Sequence, residues 1–379
     1  MLIPRVRPNY RIVDLFHALF VSESSSSYRT ECTMLLSKIF NTDNILLTSS
    51  GRSSLYWVLK SLPQTKVVVP AYTCMVIVEA AMLAGKKVSF VETDYLSFNS
   101  NSFEDVDDDT IVVATHQYGI PCDIVNIVDY CHKKGAIVVE DCAAALGSKI
   151  GNRFVGTHGD YAIFSFDPSK LITTPPKGGF IMTKDKSSFD KIKAIYAVDS
   201  CTLKYKVVNL TEGFIYCLLK NKFLYRIFHY FTMGRKGKMQ LSDHRKPDLT
   251  MTEFYNHGFY EWQASIAVPQ IKQLRKIIQK RQEIYEYYDK NISNPNVIKP
   301  VIDSFAVCIR YSIKVNNKIE VYKKCVKEGV DMGFSFNYIA APVNMRREHQ
   351  ICEEVLNLPY YYNMSRSEIK KVVEVVNQI

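Results

Sequence analysis

Two residues in this chain have the chemistry and the placing to work together. Asp141 ends the apolar run 136–139, and Lys170 follows twenty-nine residues later, just past the apolar run 161–166. A carboxylate at the end of a buried strand must cap a backbone or meet a cation, because an unpaired buried charge is costly. A lysine and a carboxylate that converge on one pocket have a shared use in pyridoxal phosphate chemistry. There the lysine forms the Schiff base, and the carboxylate keeps the pyridine nitrogen protonated so that the ring accepts electrons. Ser165, five residues before Lys170, adds a hydroxyl suited to a phosphate. Taken separately, the pair also reads as an N-cap aspartate and a surface lysine.

A second grouping, Ser49-Ser50-Gly51-Arg52-Ser53, follows an apolar run and opens a helix. Its backbone N–H groups and hydroxyls would face an anion on the helix dipole, and a phosphate fits there. A plain helix cap accounts for the same residues. The chain has neither GxxxxGK nor GxGxxG, so nucleotide hydrolysis and dinucleotide binding lose ground. A third grouping, Thr115-His116-Gln117-Tyr118-Gly119, also follows an apolar run. His116 there reads either as a pocket residue or as a satisfied buried imidazole.

The elements that must position these residues alternate. From about residue 44 to 183, short β-branched runs and helix-like stretches take turns, the mark of βα units and a mostly parallel sheet. Strands are expected at 45–48, 66–69, 87–91, 111–115, 136–139, 161–166 and 179–183. Helices are expected at 53–62, 75–83 and 124–134, the last capped by Asp123. In such a sheet, ligands bind beyond the carboxyl ends of the strands, where all three groupings fall. Residues 201–250 interleave aromatic and basic side chains without a clear strand pattern and read as an insertion. One long helix is expected from 260 to about 291. A strand at 305–315 and helices at 318–328 and 367–376 complete a smaller α+β unit.

With 379 residues, 47% of them hydrophobic and 23% charged, the chain is long enough to bury a core without staples. Its ten cysteines form no CxxC pair, which suits buried thiols in a reducing compartment, and a cytoplasmic location is expected. There is no HExxH and no second pair at metal-ligand spacing, so no metal is expected. Residues 201–250 hold ten Lys/Arg against three Asp/Glu, seven of the net charge of +10. The remainder is nearly balanced, which argues against nucleic-acid binding. The apolar run 12–21 is short and broken by Asp14 and His17, so it reads neither as a signal peptide nor as a membrane span.

The motifs occur together and in order: Val139-Glu140-Asp141-Cys142-Ala143-Ala144, Gly156-Thr157-His158-Gly159-Asp160, Phe164-Ser165-Phe166 with Lys170, and Gly178-Gly179. With Ser50-Gly51, Pro70-Ala71-Tyr72-Thr73, Tyr118-Gly119-Ile120-Pro121, Asn256, Gln263-Ala264 and Leu356-Asn357-Leu358-Pro359, the set resembles the DegT/DnrJ/EryC1/StrS family of sugar aminotransferases. The resemblance implies the aspartate-aminotransferase-like α/β fold (fold type I of the pyridoxal phosphate enzymes). Its large, mostly parallel-sheet domain would span 1–255 and its smaller C-terminal domain 256–379. It also implies pyridoxal 5′-phosphate as cofactor, with Lys170 catalytic, Asp141 on the pyridine nitrogen, and Ser165, Gly51, Arg52 and Ser53 at the phosphate. Cys74, Tyr72 and Ala144 would lie near the ring, and His116 and Tyr118 in the substrate pocket. Asn256 would reach the partner's cofactor phosphate, so that a homodimer shares its active sites. The implied reaction converts a nucleotide-linked keto sugar to an amino sugar, with glutamate as donor. A non-sugar ketone as substrate, or a non-catalytic ligand-binding relative, are the alternatives.

Several positions depart from the family pattern. Ala144 stands where Gln or His is usual, Cys74 where an aromatic commonly stacks on the ring, and Gly258 where an Arg follows the interface Asn. One expectation is that Arg52 supplies the missing cation to the phosphate from within the subunit; the other is that it faces solvent or pairs with a carboxylate. The stretch 201–250, with Phe214, Leu218, Leu224, Ile227, Phe228 and Phe231, is expected either to touch a membrane surface or anionic partner, or to cover the cofactor domain or dimer seam.

Overall fold

The computed structural model describes residues 1–234, 245–302, 304–341 and 345–379. The chain opens with helices α1 (Ile12–Phe20) and α2 (Ser27–Phe40). The βα alternation follows: β1 (Ile45–Thr48), α3 (Gly51–Ser61), β2 (Lys66–Pro70), α4 (Met75–Leu83), β3 (Lys87–Val91), β4 (Thr110–Thr115), α5 (Ile124–Lys133) and β5 (Ile137–Asp141). A small hairpin, β6 (Lys149–Ile150) and β7 (Arg153–Phe154), precedes β8 (Tyr161–Ser165) and β9 (Gly179–Thr183). Seven of these strands form one sheet in the order β1-β9-β8-β5-β4-β2-β3. Strands β3, β2, β4, β5 and β8 run parallel, and β9 pairs antiparallel with both β8 and β1. Buried on both faces, β4 and β9 are apolar runs without alternation, as a helix-covered sheet requires.

Helices α6 (Lys186–Ile195), α7 (Leu203–Leu218), α8 (Lys222–His229) and α9 (Glu253–Asn256) come next, then α10 (Glu261–Lys272) and α11 (Leu274–Asn291). The C-terminal part holds β10 (Val297–Ile298), β11 (Tyr311–Val315), α12 (Lys318–Lys327), α13 (Arg346–Glu354), β12 (Val355–Leu358) and α14 (Arg366–Val376). Its three strands form a separate antiparallel sheet, β10-β11-β12. The start of α14 is fixed by a capping box in which Ser365 and Glu368 satisfy each other's backbone N–H.

Four local expectations are corrected. The single helix over 260–291 is two, broken at Gln273, because its halves serve different cores. Ala264, Ala267, Val268 and Ile271 of α10 pack with α2 beneath the large sheet, whereas Ile284 and Tyr288 of α11 join the C-terminal core. The strand over 305–315 begins only at Tyr311. Residues before it are stitched to the large sheet's loops instead: Val307 N–H donates to Ser148 Oγ at 2.8 Å and Ile309 N–H to the Tyr118 carbonyl at 2.9 Å. Asp123 does not cap α5 through its side chain, which accepts from Asn126 instead at 2.7 Å. The stretch 201–250 is helical over α7 and α8; its residues 235–244 lie outside those described.

Candidate active site

The carboxyl ends of β1, β2, β4, β5 and β8 converge on a cavity of about 230 Å3. Asp141 and Ser165 are the last residues of β5 and β8, and Gly51 opens α3. Thr73 and Cys74 follow β2, and all five line the cavity with Lys170. The C-terminal part closes the opposite side with Ile309, Arg310, Ser335 and Phe336. Two tyrosines join the halves. The Tyr72 and Tyr118 hydroxyls lie 2.7 Å apart, Tyr118 donates to the Ser335 carbonyl, and Phe336 N–H donates to Tyr72 at 2.8 Å.

The electrostatics suit acid–base work. Burial pushes the Asp141 carboxyl above its usual value, more than the Ala143 N–H and the Lys170 charge pull it down. Burial lowers Lys170 from the ordinary ammonium value, outweighing Asp167, and Arg310 adds to the lowering. Asp141 accepts one hydrogen bond, from Ala143 N–H at 3.0 Å, and its carboxylate lines the cavity. A cation placed there would be held by a charge that the protein leaves largely unmet.

Most of the residues singled out from sequence meet here. Lys170, Asp141, Ser165, Gly51, Arg52, Cys74, Ala144 and Tyr118 all line the cavity. The structure places the other four elsewhere, and it pairs Arg52 with a carboxylate. His116 is fully buried and does not reach the cavity: its Nδ1 accepts from Cys122 N–H and its Nε2 meets Glu140, each at 3.1 Å. Tyr72 is also fully buried beneath the lining, where it bonds Tyr118. The Arg52 guanidinium lies 3.8 Å from the buried Glu79 carboxylate, so the carboxylate pairing is the arrangement found. Ser53 sits behind the lining, its N–H donating to Ser50 Oγ at 3.1 Å. Asn256 is exposed and outside the cavity, and its side chain makes no hydrogen bond among the described residues.

Arg310 was missed by sequence reasoning, as were Thr73, Gln117 and Phe336. Arg310 has no ion-pair or hydrogen-bond partner among the described residues, and burial lowers its pKa. The signal existed: a charge inside the apolar run Val307-Cys308-Ile309-Arg310-Tyr311 poses the same question as Asp141. His116, Glu140 and Cys142 have metal-ligand spacing. Their donor atoms are already engaged, since each Glu140 oxygen accepts two hydrogen bonds.

The cavity fits pyridoxal 5′-phosphate on its own features. Thr73 Oγ1 and Thr115 Oγ1 are buried in its wall without a hydrogen-bond partner among the described residues. The first turn of α3 lies so close to β8 that a Cβ at Gly51 would stand 3.0 Å from the Ser165 Cβ, leaving backbone N–H groups open to an anion. Fold and site together define a fold type I aminotransferase that depends on pyridoxal phosphate. The chain belongs to the DegT/DnrJ/EryC1/StrS aminotransferase family, whose profile matches residues 33–377. It is 25% identical to GDP-perosamine synthase of Escherichia coli O157:H7 over 350 residues, 87% of this chain and 84% of that relative. It is 32% identical to the UDP-N-acetyl-3-dehydro-alpha-D-glucosamine 3-aminotransferase of Acidithiobacillus ferrooxidans over 154 residues, 39% of this chain and 42% of that one. In fold it is similar to Helicobacter pylori PseC, an aminotransferase of pseudoaminic acid biosynthesis, with a TM-score of 0.78 and 15% identity over 100% of this chain and 99% of that one.

Proposed function

We propose that the protein aminates a nucleotide-linked keto sugar, with glutamate as the amino donor. The observation that carries this reading is the convergence on one cavity of Lys170, Asp141 and Arg310, the last without an ion-pair partner among the described residues. When bound, pyridoxal phosphate supplies a carbonyl that condenses with amines and a ring that accepts the electron pair released from carbon. Asp141 would hold the ring nitrogen's proton, and that cation would offset the burial that raises its pKa. Lys170 Nζ, whose pKa burial lowers, would serve as the base for the donor's α-hydrogen and as the acid that returns a proton in the second half-reaction. Ser165 Oγ, Thr73 Oγ1 and the N–H groups of α3 would hold the phosphate. Arg310 supplies the planar double donor that a donor carboxylate needs. The relatives' names, which specify GDP- and UDP-linked sugars, support the substrate class.

The same reading makes the protein a cytoplasmic homodimer. All ten cysteines are free thiols, and the exposed Asn256 is open to reach a partner's phosphate. Among the described residues no helix is long and apolar enough to cross a membrane. The test is to incubate the holoenzyme with glutamate and a panel of nucleotide-linked 3-keto and 4-keto sugars and follow 2-oxoglutarate release. Release that depends on one of the sugars is expected; no release with any of them, from a protein that binds the cofactor, would overturn the substrate class.

A further inference from the structure

Three neighbouring helices are apolar on the side that faces water. Helix α1 buries Leu15 and Ala18 but leaves Phe16 and Phe20 exposed, at 53% and 83%. Helix α7 buries Leu210, Gly213 and Cys217 and leaves Val208, Ile215 and Leu218 at least half exposed. In α8, Tyr225 and His229 turn inward, to Asp331 at 2.6 Å and Tyr322 at 2.8 Å. Its other face shows Phe223, Leu224, Ile227 and Phe228, and Phe231 follows one turn on. The positions 223, 224, 227, 228 and 231 recur at helical spacing, so they form one face rather than a scatter. Helices α1 and α7 adjoin, the Phe16 and Phe214 rings meeting edge-on at 5.0 Å, and the link from α7 to α8 is tied to the residues before α1 by Lys220 Nζ, which donates to the Tyr10 carbonyl. Exposed apolar side chains gathered on neighbouring surface helices in this way mark a docking surface.

Charge selects the occupant. Of the basic residues on α7 and α8, Lys206 is turned to the Val21 carbonyl and Lys222 to Glu368, which leaves two to face solvent. On α7 and α8, Lys204 and Arg226 are exposed without an ion-pair partner among the described residues, and Glu212 is the sole acid. A second copy docked about a two-fold axis would bring this positive surface against itself. An anionic bilayer supplies the opposite charge, and the headgroup boundary takes aromatic and aliphatic side chains together.

We propose that α1, α7 and α8 form a peripheral docking face for an anionic membrane surface. Phe20, Phe223 and Phe228 enter the headgroup boundary, and Lys204 and Arg226 meet lipid phosphates. The chain lies on the bilayer and does not cross it.

The test is flotation of the full-length holoprotein with phosphatidylcholine vesicles containing 30% phosphatidylglycerol, beside vesicles of phosphatidylcholine alone. Binding to the anionic vesicles at low salt, weakened by salt and about tenfold or more stronger than to neutral ones, is expected. The double variants Phe223→Ser/Phe228→Ser and Lys204→Glu/Arg226→Glu should each lose about tenfold or more in vesicle affinity. Their thermal melting, cofactor absorbance and sedimentation should match the wild type. No flotation at low salt, or binding indifferent to these variants, overturns the proposal. So does a Phe223→Ser/Phe228→Ser variant that dissociates an oligomer, since a second copy would then cover the face. Loss of a bound acidic protein by these variants, without loss of vesicle binding, also overturns it.

Discussion

Replacing Glu140 by glutamine should destabilise the protein by about 3–6 kcal/mol, and the figure follows from counting donors. Glu140 is fully buried beside Asp141. One carboxylate oxygen accepts from the His158 and Gly159 N–H groups, both at 2.7 Å; the other accepts from Gly156 N–H at 2.6 Å and faces His116 Nε2 at 3.1 Å. A side-chain amide keeps one acceptor oxygen and turns the other position into a donor. Whichever way it is placed, two existing donors lose their acceptor. Facing His116 brings no relief, because that ring could accept at Nε2 only by moving its proton to Nδ1, which already takes the Cys122 N–H at 3.1 Å. Two charge-assisted bonds at about 1.5–3 kcal/mol each give the range, a large fraction of an ordinary folding free energy of about 5–15 kcal/mol. Urea unfolding of wild type and variant measures it. The pH dependence supplies a second check. Burial raises the Glu140 carboxyl, but the His116 contact and the backbone donors outweigh it, so its folded pKa lies below the ordinary 4.5. A depressed folded pKa contributes stability above the unfolded value and loses it as the pH falls through the folded one. The difference between wild type and variant should therefore narrow below about pH 4.5. A loss under about 1 kcal/mol at pH 7 would refute the donor count.

Lys170→Ala should abolish transamination without unfolding the protein, and borohydride treatment of wild-type holoprotein should fix cofactor mass to the peptide containing Lys170; fixation elsewhere would overturn that assignment. Arg310→Ala should raise the KM for glutamate about ten- to a hundredfold, the loss of a charge-assisted pair, while leaving the KM for the keto sugar within a few fold. An unchanged glutamate KM would remove Arg310 from the donor site. Because Arg52 lies beside Glu79, Arg52→Ala should weaken pyridoxal phosphate binding to the apoprotein less than tenfold, as read by direct titration. A larger loss would restore Arg52 to the phosphate.

The local order of chemistry was written in the sequence. Each grouping follows a strand, and strands β2, β4, β5, β8 and β9 of the large sheet announce themselves as apolar runs because burial on both faces leaves little room for polar alternation. Asp141 and Lys170 could be picked out because a charge at the end of such a run needs a reason. Helix α7 was hidden for the opposite cause: apolar residues on its buried face, such as Leu210 and Cys217, and on its exposed face, such as Val208 and Ile215, blur the period by which a helix is recognised. Only the tertiary structure decided which strand-end residues face one another. It sent His116 and Tyr72 beneath the cavity lining, turned Arg52 to Glu79, and brought Arg310 from the C-terminal part to the side opposite Lys170. Sequence spacing fixes which face of its own element a residue occupies. Which distant element covers that face depends on how two cores pack across a shared wall, here through Tyr72, Tyr118 and the Ser335–Phe336 loop, and long-range contacts of that kind leave no periodic trace in the chain.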